Sequence, residues 1–148
     1  MKRVLFLCTG NYYRSRFAEH LFNDRARSAG LAWEASSRAL AIERGKDNVG
    51  PISIHAVEAL AERGVRVSTA RLPLPCTVED LRSADLTIAV QEAEHCPLLS
   101  ERFAGWEARV TYWHVHDVEV ETPANALAEI DRHVEKLITS LGDVTRRS

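Results

Sequence analysis

The chain has 148 residues, 45% of them hydrophobic and 27% charged, and a formal net charge of −2. These are the values of an ordinary soluble globular chain long enough for one core, and they argue against a broad binder of nucleic acid or anionic membrane. No apolar run reaches the roughly 20 residues that a bilayer-spanning helix needs, and the apolar run behind Met1-Lys2-Arg3 is too short for a targeting peptide.

Arg3 to Leu7 is short and apolar, as in a strand buried on both faces of a parallel sheet. A helical pattern starts at Arg14, with Phe17, Ala18, Leu21 and Phe22 on one face and Gly30 as its stop. Leu31 to Ser37 reads as a second strand, and Ala39 to Gly50 has no clear period. Pro51 suits the first turn of a helix whose apolar face is Ile54, Val57, Leu60 and Ala61 and which ends at Gly64. Pro73 and Pro75 stiffen the connector that follows, and Thr77 with Asp80 resembles a capping box before a short helix. Leu86 to Val90 is a strand, Gln91 to Leu99 a short helix broken by Pro97, and Arg109 to Trp113 a fourth strand. Thr122-Pro123 then opens a helix with the stripe Leu127, Ile130, Val134, Leu137, Ile138 and Leu141, closed by Gly142. Strands alternating with helices predict one α/β domain over residues 1–148 with a parallel sheet.

The three cysteines, Cys8, Cys76 and Cys96, cannot all pair within one chain, and none forms a close CxxC pair. A reducing, cytoplasmic compartment fits them, with Cys76 and Cys96 read as packing residues.

The most informative segment is Leu7-Cys8-Thr9-Gly10-Asn11-Tyr12-Tyr13-Arg14-Ser15. It places a thiol after a strand and before a helix, where backbone N–H groups and the positive helix end can stabilise an anion. The thiolate, not the thiol, is the nucleophile. Gly10 lets the chain turn, and Asn11 tolerates left-handed backbone angles. Arg14 offers a planar, permanently charged fork that matches two phosphate oxygens, and Ser15 offers a hydroxyl to the thiolate. The segment is therefore a candidate phosphate cradle formed by Thr9, Gly10, Asn11, Tyr12, Tyr13 and Arg14 around Cys8.

Val4 to Ser15 resembles the N-terminal signature of the low-molecular-weight protein tyrosine phosphatases, V-x-x-x-C-x-G-N-x-x-R-S, a group that includes arginine phosphatases and arsenate reductases. Weaker matches are Ala70-Arg71, Ala84-Asp85-Leu86 and an acid before the last helix. The resemblance implies a three-layer α/β sandwich with a four-stranded parallel sheet and helices on both faces. It also implies catalysis without metal or other cofactor. Cys8 attacks phosphorus, Arg14 and the loop amides hold the oxygens, Ser15 assists the thiolate, Asn11 braces the loop, and water hydrolyses a phosphocysteine. By position, Asp117 is the general acid and then the base. The implied substrate is a phosphorylated protein or small aryl phosphate, and the implied assembly a monomer or weak dimer.

Several residues depart from the family pattern. Val118 replaces the Pro that usually follows the acid, Arg16 replaces the Pro after Arg-Ser, Ser68 stands where many members have His, and Gln91 where many have Asp. Tyr12 and Tyr13 replace a smaller residue and a second Cys, so Tyr12 either walls the substrate opening or packs the loop. His114 and His116 alternate before Asp117, but no ligand spacing supports a metal, and His116 is instead a candidate to tune Asp117. Trp33, Trp106 and Trp113 read as core or rim aromatics. Two alternatives remain beside the phosphatase: an arsenate reductase, which needs resolving cysteines that Cys76 and Cys96 do not supply as a close pair, and a catalytically weak phosphate or phosphoprotein binder.

Overall fold

The computed structural model describes residues 1–68, 71–115 and 122–147. Four strands form one sheet: β1 (Lys2–Cys8), β2 (Trp33–Ala39), β3 (Leu86–Ala89) and β4 (Thr111–Tyr112). Their order is β2-β1-β3-β4 and every pairing between them is parallel. Among the described residues five α-helices accompany them: α1 (Arg14–Ser28), α2 (Ile54–Glu62), α3 (Val78–Ser83), α4 (Glu92–Arg102) and α5 (Pro123–Arg147).

The central strand explains the layering. Successive side chains of a strand point to opposite faces, and β1 is buried on both from Val4 to Cys8. Val4, Phe6 and Cys8 pack with Phe17, Leu21 and Phe22 of α1, Ala56 and Leu60 of α2, and Leu127, Ile130 and Val134 of α5. Leu5 and Leu7 pack on the other face with Leu81 of α3 and Leu98 and Leu99 of α4. The result is the three-layer α/β sandwich with a four-stranded parallel sheet that the motif implies.

Several boundaries differ from the sequence expectation. β2 starts at Trp33 rather than Leu31 and runs on to Ala39. It is an edge strand with alternating burial, Ala35, Ser37 and Ala39 facing in, so its polar residues hid its second half. β4, the other edge, is two residues long rather than five. α2 begins at Ile54, so Pro51 lies before its first turn, and Ser53 caps it, its side chain accepting from the His55 N–H at 3.2 Å. Pro97 does not break α4, which continues to Arg102 with Leu98 and Leu99 buried; the packing of that second half outweighs the one backbone donor that proline lacks. Gly142 does not end α5: it lacks the positive φ of a helix-ending glycine, and the helix continues to Arg147. The capping box of α3 forms as expected: the Asp80 N–H donates to Thr77 Oγ1 at 3.1 Å and the Thr77 N–H to Asp80 Oδ2 at 2.9 Å. Thr122 caps α5, accepting from the Asn125 N–H at 3.2 Å.

The order β2-β1-β3-β4 places a topological switch point between β1 and β3. Segments leaving the carboxyl ends of those two strands diverge there and leave a crevice, the usual ligand site of an open parallel sheet. One such segment is residues 9–13, between β1 and α1; the other is Val90-Gln91, between β3 and α4.

Candidate active site

The loop from Cys8 to Arg14 is fixed from outside by its carbonyl groups. The Cys8 carbonyl accepts from Leu40 N–H, that of Thr9 from Ala41, that of Tyr12 from Ser53 and that of Tyr13 from Phe17, at 2.9 to 3.1 Å. The Asn11 carbonyl accepts from the Arg16 guanidinium at 3.3 Å. In a trans peptide the N–H points opposite to the carbonyl of the same unit, and the chain has no cis peptide bond among the described residues. Holding these five carbonyls against the scaffold therefore turns the N–H groups of Thr9, Gly10, Tyr12, Tyr13 and Arg14 the other way. A cleft of about 420 Å³ is lined by Cys8, Thr9, Gly10, Tyr12, Tyr13, Arg14, Arg44, Gly45, Asn48, Ser53, His55 and Glu94.

Asn11 is the brace. It is fully buried with φ +52°, a left-handed conformation that Asn adopts more readily than most residues. Its amide nitrogen donates to Ser15 Oγ at 2.9 Å and to Ser37 Oγ at 2.8 Å. Its amide oxygen accepts from Arg71 at 3.1 Å and from the Leu74 N–H at 3.1 Å. Ser37 Oγ also contacts Arg71 at 3.1 Å and donates to Glu19 at 2.6 Å.

This chain of bonds orients Ser15 towards Cys8. Ser15 Oγ lies 2.9 Å from Cys8 Sγ. A hydroxyl has one proton to give. Because Asn11 already donates to Ser15, that proton is directed at the sulfur, and a thiolate at Cys8 would receive it. Both side chains are buried, Cys8 at 3% exposure and Ser15 at 0%.

Arg14 is equally enclosed. One terminal nitrogen donates to the Val115 carbonyl at 3.2 Å. The other meets both carboxylate oxygens of Glu94, at 2.9 and 3.2 Å. Glu94 also accepts from Thr9 Oγ1 at 2.6 Å. Burial opposes the charge of Glu94 more than any other single influence. Arg14 and the Thr9 hydroxyl outweigh it and hold the carboxyl below its usual range.

His95 sits beneath this pair with no exposure. Its Nδ1 accepts from the Gln91 N–H at 3.1 Å, so the ring proton is on Nε2, 3.2 Å from Thr9 Oγ1. Burial, reinforced by Arg14, pushes the imidazole from 6.5 down to about 3. A histidine kept neutral when folded makes stability depend on pH. Below 6.5 the unfolded chain binds a proton that the folded chain refuses, so stability falls as pH drops towards 3. Between pH 7 and pH 4, urea titrations should show wild type losing about 2–3 kcal/mol more than His95→Asn, which keeps an acceptor without a titrating ring. Parallel curves for the two proteins would remove His95 from the acid sensitivity.

The structure brings Cys8, Thr9, Gly10, Tyr12, Tyr13 and Arg14 to one cleft, with Ser15 and Asn11 directly behind. Asp117, the expected acid, and His116 lie outside the described residues. Tyr12 lines the cleft and donates its hydroxyl to the Val49 carbonyl, and Tyr13 bonds the Pro123 carbonyl at 3.2 Å. Tyr12 is thus both a wall and a tie, and Tyr13 fastens the loop to α5. Trp113 is core, stacked on His133 with ring centres 4.8 Å apart. Sequence reasoning missed Glu94, His95 and the clamp of Arg71, and it noted Arg16 only as a departure. A buried Arg16 follows from no local pattern, but Glu94 and His95 lie just after the strand that ends at the switch point, a position that can be read as a signal.

The first βα loop of this parallel sheet thus gathers a buried thiol, a serine hydroxyl aimed at it and an enclosed arginine. The chain belongs to the low molecular weight phosphotyrosine protein phosphatase family, whose model matches residues 3–145. It is 33% identical over 107 residues to a protein-arginine-phosphatase of Bacillus subtilis, covering 72% of this chain and 67% of that one. The crystal structure of a low molecular weight protein tyrosine phosphatase from T. tengcongensis superposes with a TM-score of 0.79 at 28% identity, covering 95% of this chain and 99% of the other. A solution structure of a low molecular weight protein tyrosine phosphatase from Bacillus subtilis superposes with a TM-score of 0.72 at 25% identity, covering 99% and 98%.

Proposed function

We propose that this phosphatase cleaves phosphate monoesters through a phosphocysteine at Cys8, and that its substrate is a phosphorylated tyrosine side chain of a protein or a similar aryl phosphate. The observation that carries the reading is the 2.9 Å contact between Cys8 Sγ and Ser15 Oγ, in one loop with Arg14. In the first step Cys8 Sγ attacks phosphorus, the ester P–O bond breaks, and the leaving oxygen takes a proton from Asp117. In the second, water attacks phosphorus and gives its proton to Asp117, and the thiolate leaves with the Ser15 hydroxyl donating to it. Arg14 and the loop N–H groups bind the oxygens whose charge redistributes. No step requires a metal or another cofactor.

A second reading, phosphoarginine, is favoured by Glu94, a carboxylate in the cleft able to face a guanidinium, and by the 33% identical arginine phosphatase. An arsenate reductase is disfavoured because Cys76 is buried and its thiol is pushed up to about 12 by that burial and by Asp80, which makes it a poor resolving nucleophile. Free Cys8, Cys76 and Cys96 support a reducing, cytoplasmic setting. A monomer or weak dimer is the assembly proposed.

The test is rapid quench with p-nitrophenyl phosphate, followed by rates on matched phosphotyrosine and phosphoarginine peptides. Phosphate should be found on Cys8 within the first turnover, and Asp117→Asn should slow turnover about 10²-fold, the lower end for a lost general acid. Phosphate binding without any phosphocysteine would make the protein a binder instead. A faster phosphoarginine rate would select the second reading.

A further inference from the structure

Glu94 does something the reaction above does not use. Phosphate recognition by arginine relies on the parallel donors of its guanidinium fork. One terminal nitrogen of Arg14 is engaged by both Glu94 oxygens and the other by the Val115 carbonyl. Arg14 is 4% exposed and Glu94 32%, so the pair closes the fork from the cleft side. Thr9 holds the carboxylate there with a 2.6 Å hydrogen bond, and the neutral ring of His95 holds Thr9. The carboxylate is therefore positioned rather than incidental.

We propose that Glu94 is an internal competitor of the substrate's phosphoryl group, and thereby a specificity-determining residue: a phosphoryl oxygen reaches the Arg14 nitrogen only by taking it from the Glu94 carboxylate. The inference rests on the reading that the Cys8–Arg14 loop binds phosphate. Its consequence is selective. Once displaced, Glu94 is a carboxylate beside a phosphate dianion, and like charges in a half-buried cleft repel strongly. A bare oxyanion bears the whole of that penalty. A substrate carrying a positive group within reach of Glu94 bears less, because the group replaces Arg14 as its partner. Glu94 thus weakens inorganic phosphate, the reaction product, more than it weakens a substrate of that kind.

The probe is inorganic phosphate, read by its protection of Cys8 from alkylation with iodoacetamide, together with steady-state constants on p-nitrophenyl phosphate. Glu94→Gln keeps the shape and the helix position but removes the charge. Phosphate should protect Cys8 at concentrations about five- to tenfold lower than in wild type, the scale of a charge-assisted hydrogen bond with one solvated end. The gain in kcat/KM should lie in KM, whereas a merely structural role predicts a loss of turnover instead. Thr9→Val, which frees the carboxylate from its hydroxyl, should shift protection in the same direction by about twofold, and it decides the matter if Glu94→Gln does not fold. Unchanged or weaker phosphate protection in the folded variant, with wild type still protected, overturns the competitor and leaves the cradle standing. Absence of protection in wild type overturns the cradle and the competitor with it.

Discussion

Cys8→Ser should abolish turnover of p-nitrophenyl phosphate, by roughly 10⁴-fold or more, while the protein stays folded. The serine hydroxyl is a far weaker nucleophile near neutral pH, and an alkoxide is a far worse leaving group in the second step. The substitution changes one buried atom for a smaller one in a position already hydrogen-bonded to Ser15, so circular dichroism and the melting temperature should barely move. Ser15→Ala tests the same arrangement from the other side. It removes the hydroxyl proton aimed at the sulfur and should cost about 10- to 10²-fold, the scale of one donor to a transition-state charge. Arg14→Lys should cost about 10²- to 10³-fold because a point charge cannot present two parallel donors. Turnover in Cys8→Ser equal to wild type would place the nucleophile elsewhere.

These expectations come from a segment whose chemistry is contiguous in the chain, and that is why it was readable. Cys8, Asn11, Arg14 and Ser15 lie within one strand–loop–helix unit, and their residue types carry the roles proposed for them. The central strand was equally plain, since a run buried on both faces leaves no other reading for Val4 to Leu7. What supports the loop was not legible. Glu94 meets Thr9 and Arg14 across 85 and 80 positions of sequence, and Arg71 meets Asn11 across 60. Glu94 makes its contacts only once the β1 and β3 segments converge at the switch point, and Arg71 only once the segment after α2 runs beside β2. The edge strands are present where expected, but their bounds shifted for another reason. They bury one face or a couple of residues, so their apolar signal is weak beside that of β1. Pro97 shows local propensity yielding to packing: its helix continues because Leu98 and Leu99 beyond it are buried in the core.

Arg16 is where this chain carries the greatest structural risk. Its guanidinium is fully buried and donates to the carbonyls of Asn11, Pro51 and Arg71, at 3.3, 3.0 and 2.9 Å. Burial, then the nearby charge of Arg71, lowers it from 12.5 to about 10, so it remains a cation at neutral pH. One side chain therefore joins the loop, the segment before α2 and the segment that clamps Asn11. Arg16→Met keeps the stem and deletes the donors, leaving three carbonyls with a lost partner. Each such loss costs about 1–3 kcal/mol, softened where water can enter. We expect a loss of about 3–5 kcal/mol, read as a fall in melting temperature of about 10 °C or more. Arg16→Pro is the sharper case. Proline is the residue that family members usually carry here and suits the first turn of a helix, yet it supplies no donor at all. It should destabilise this chain as much as methionine does, because the carbonyls around it are arranged for a guanidinium. An Arg16→Pro variant as stable as wild type would mean that the three bonds merely offset the cost of burying the charge, as some buried ionic groups do.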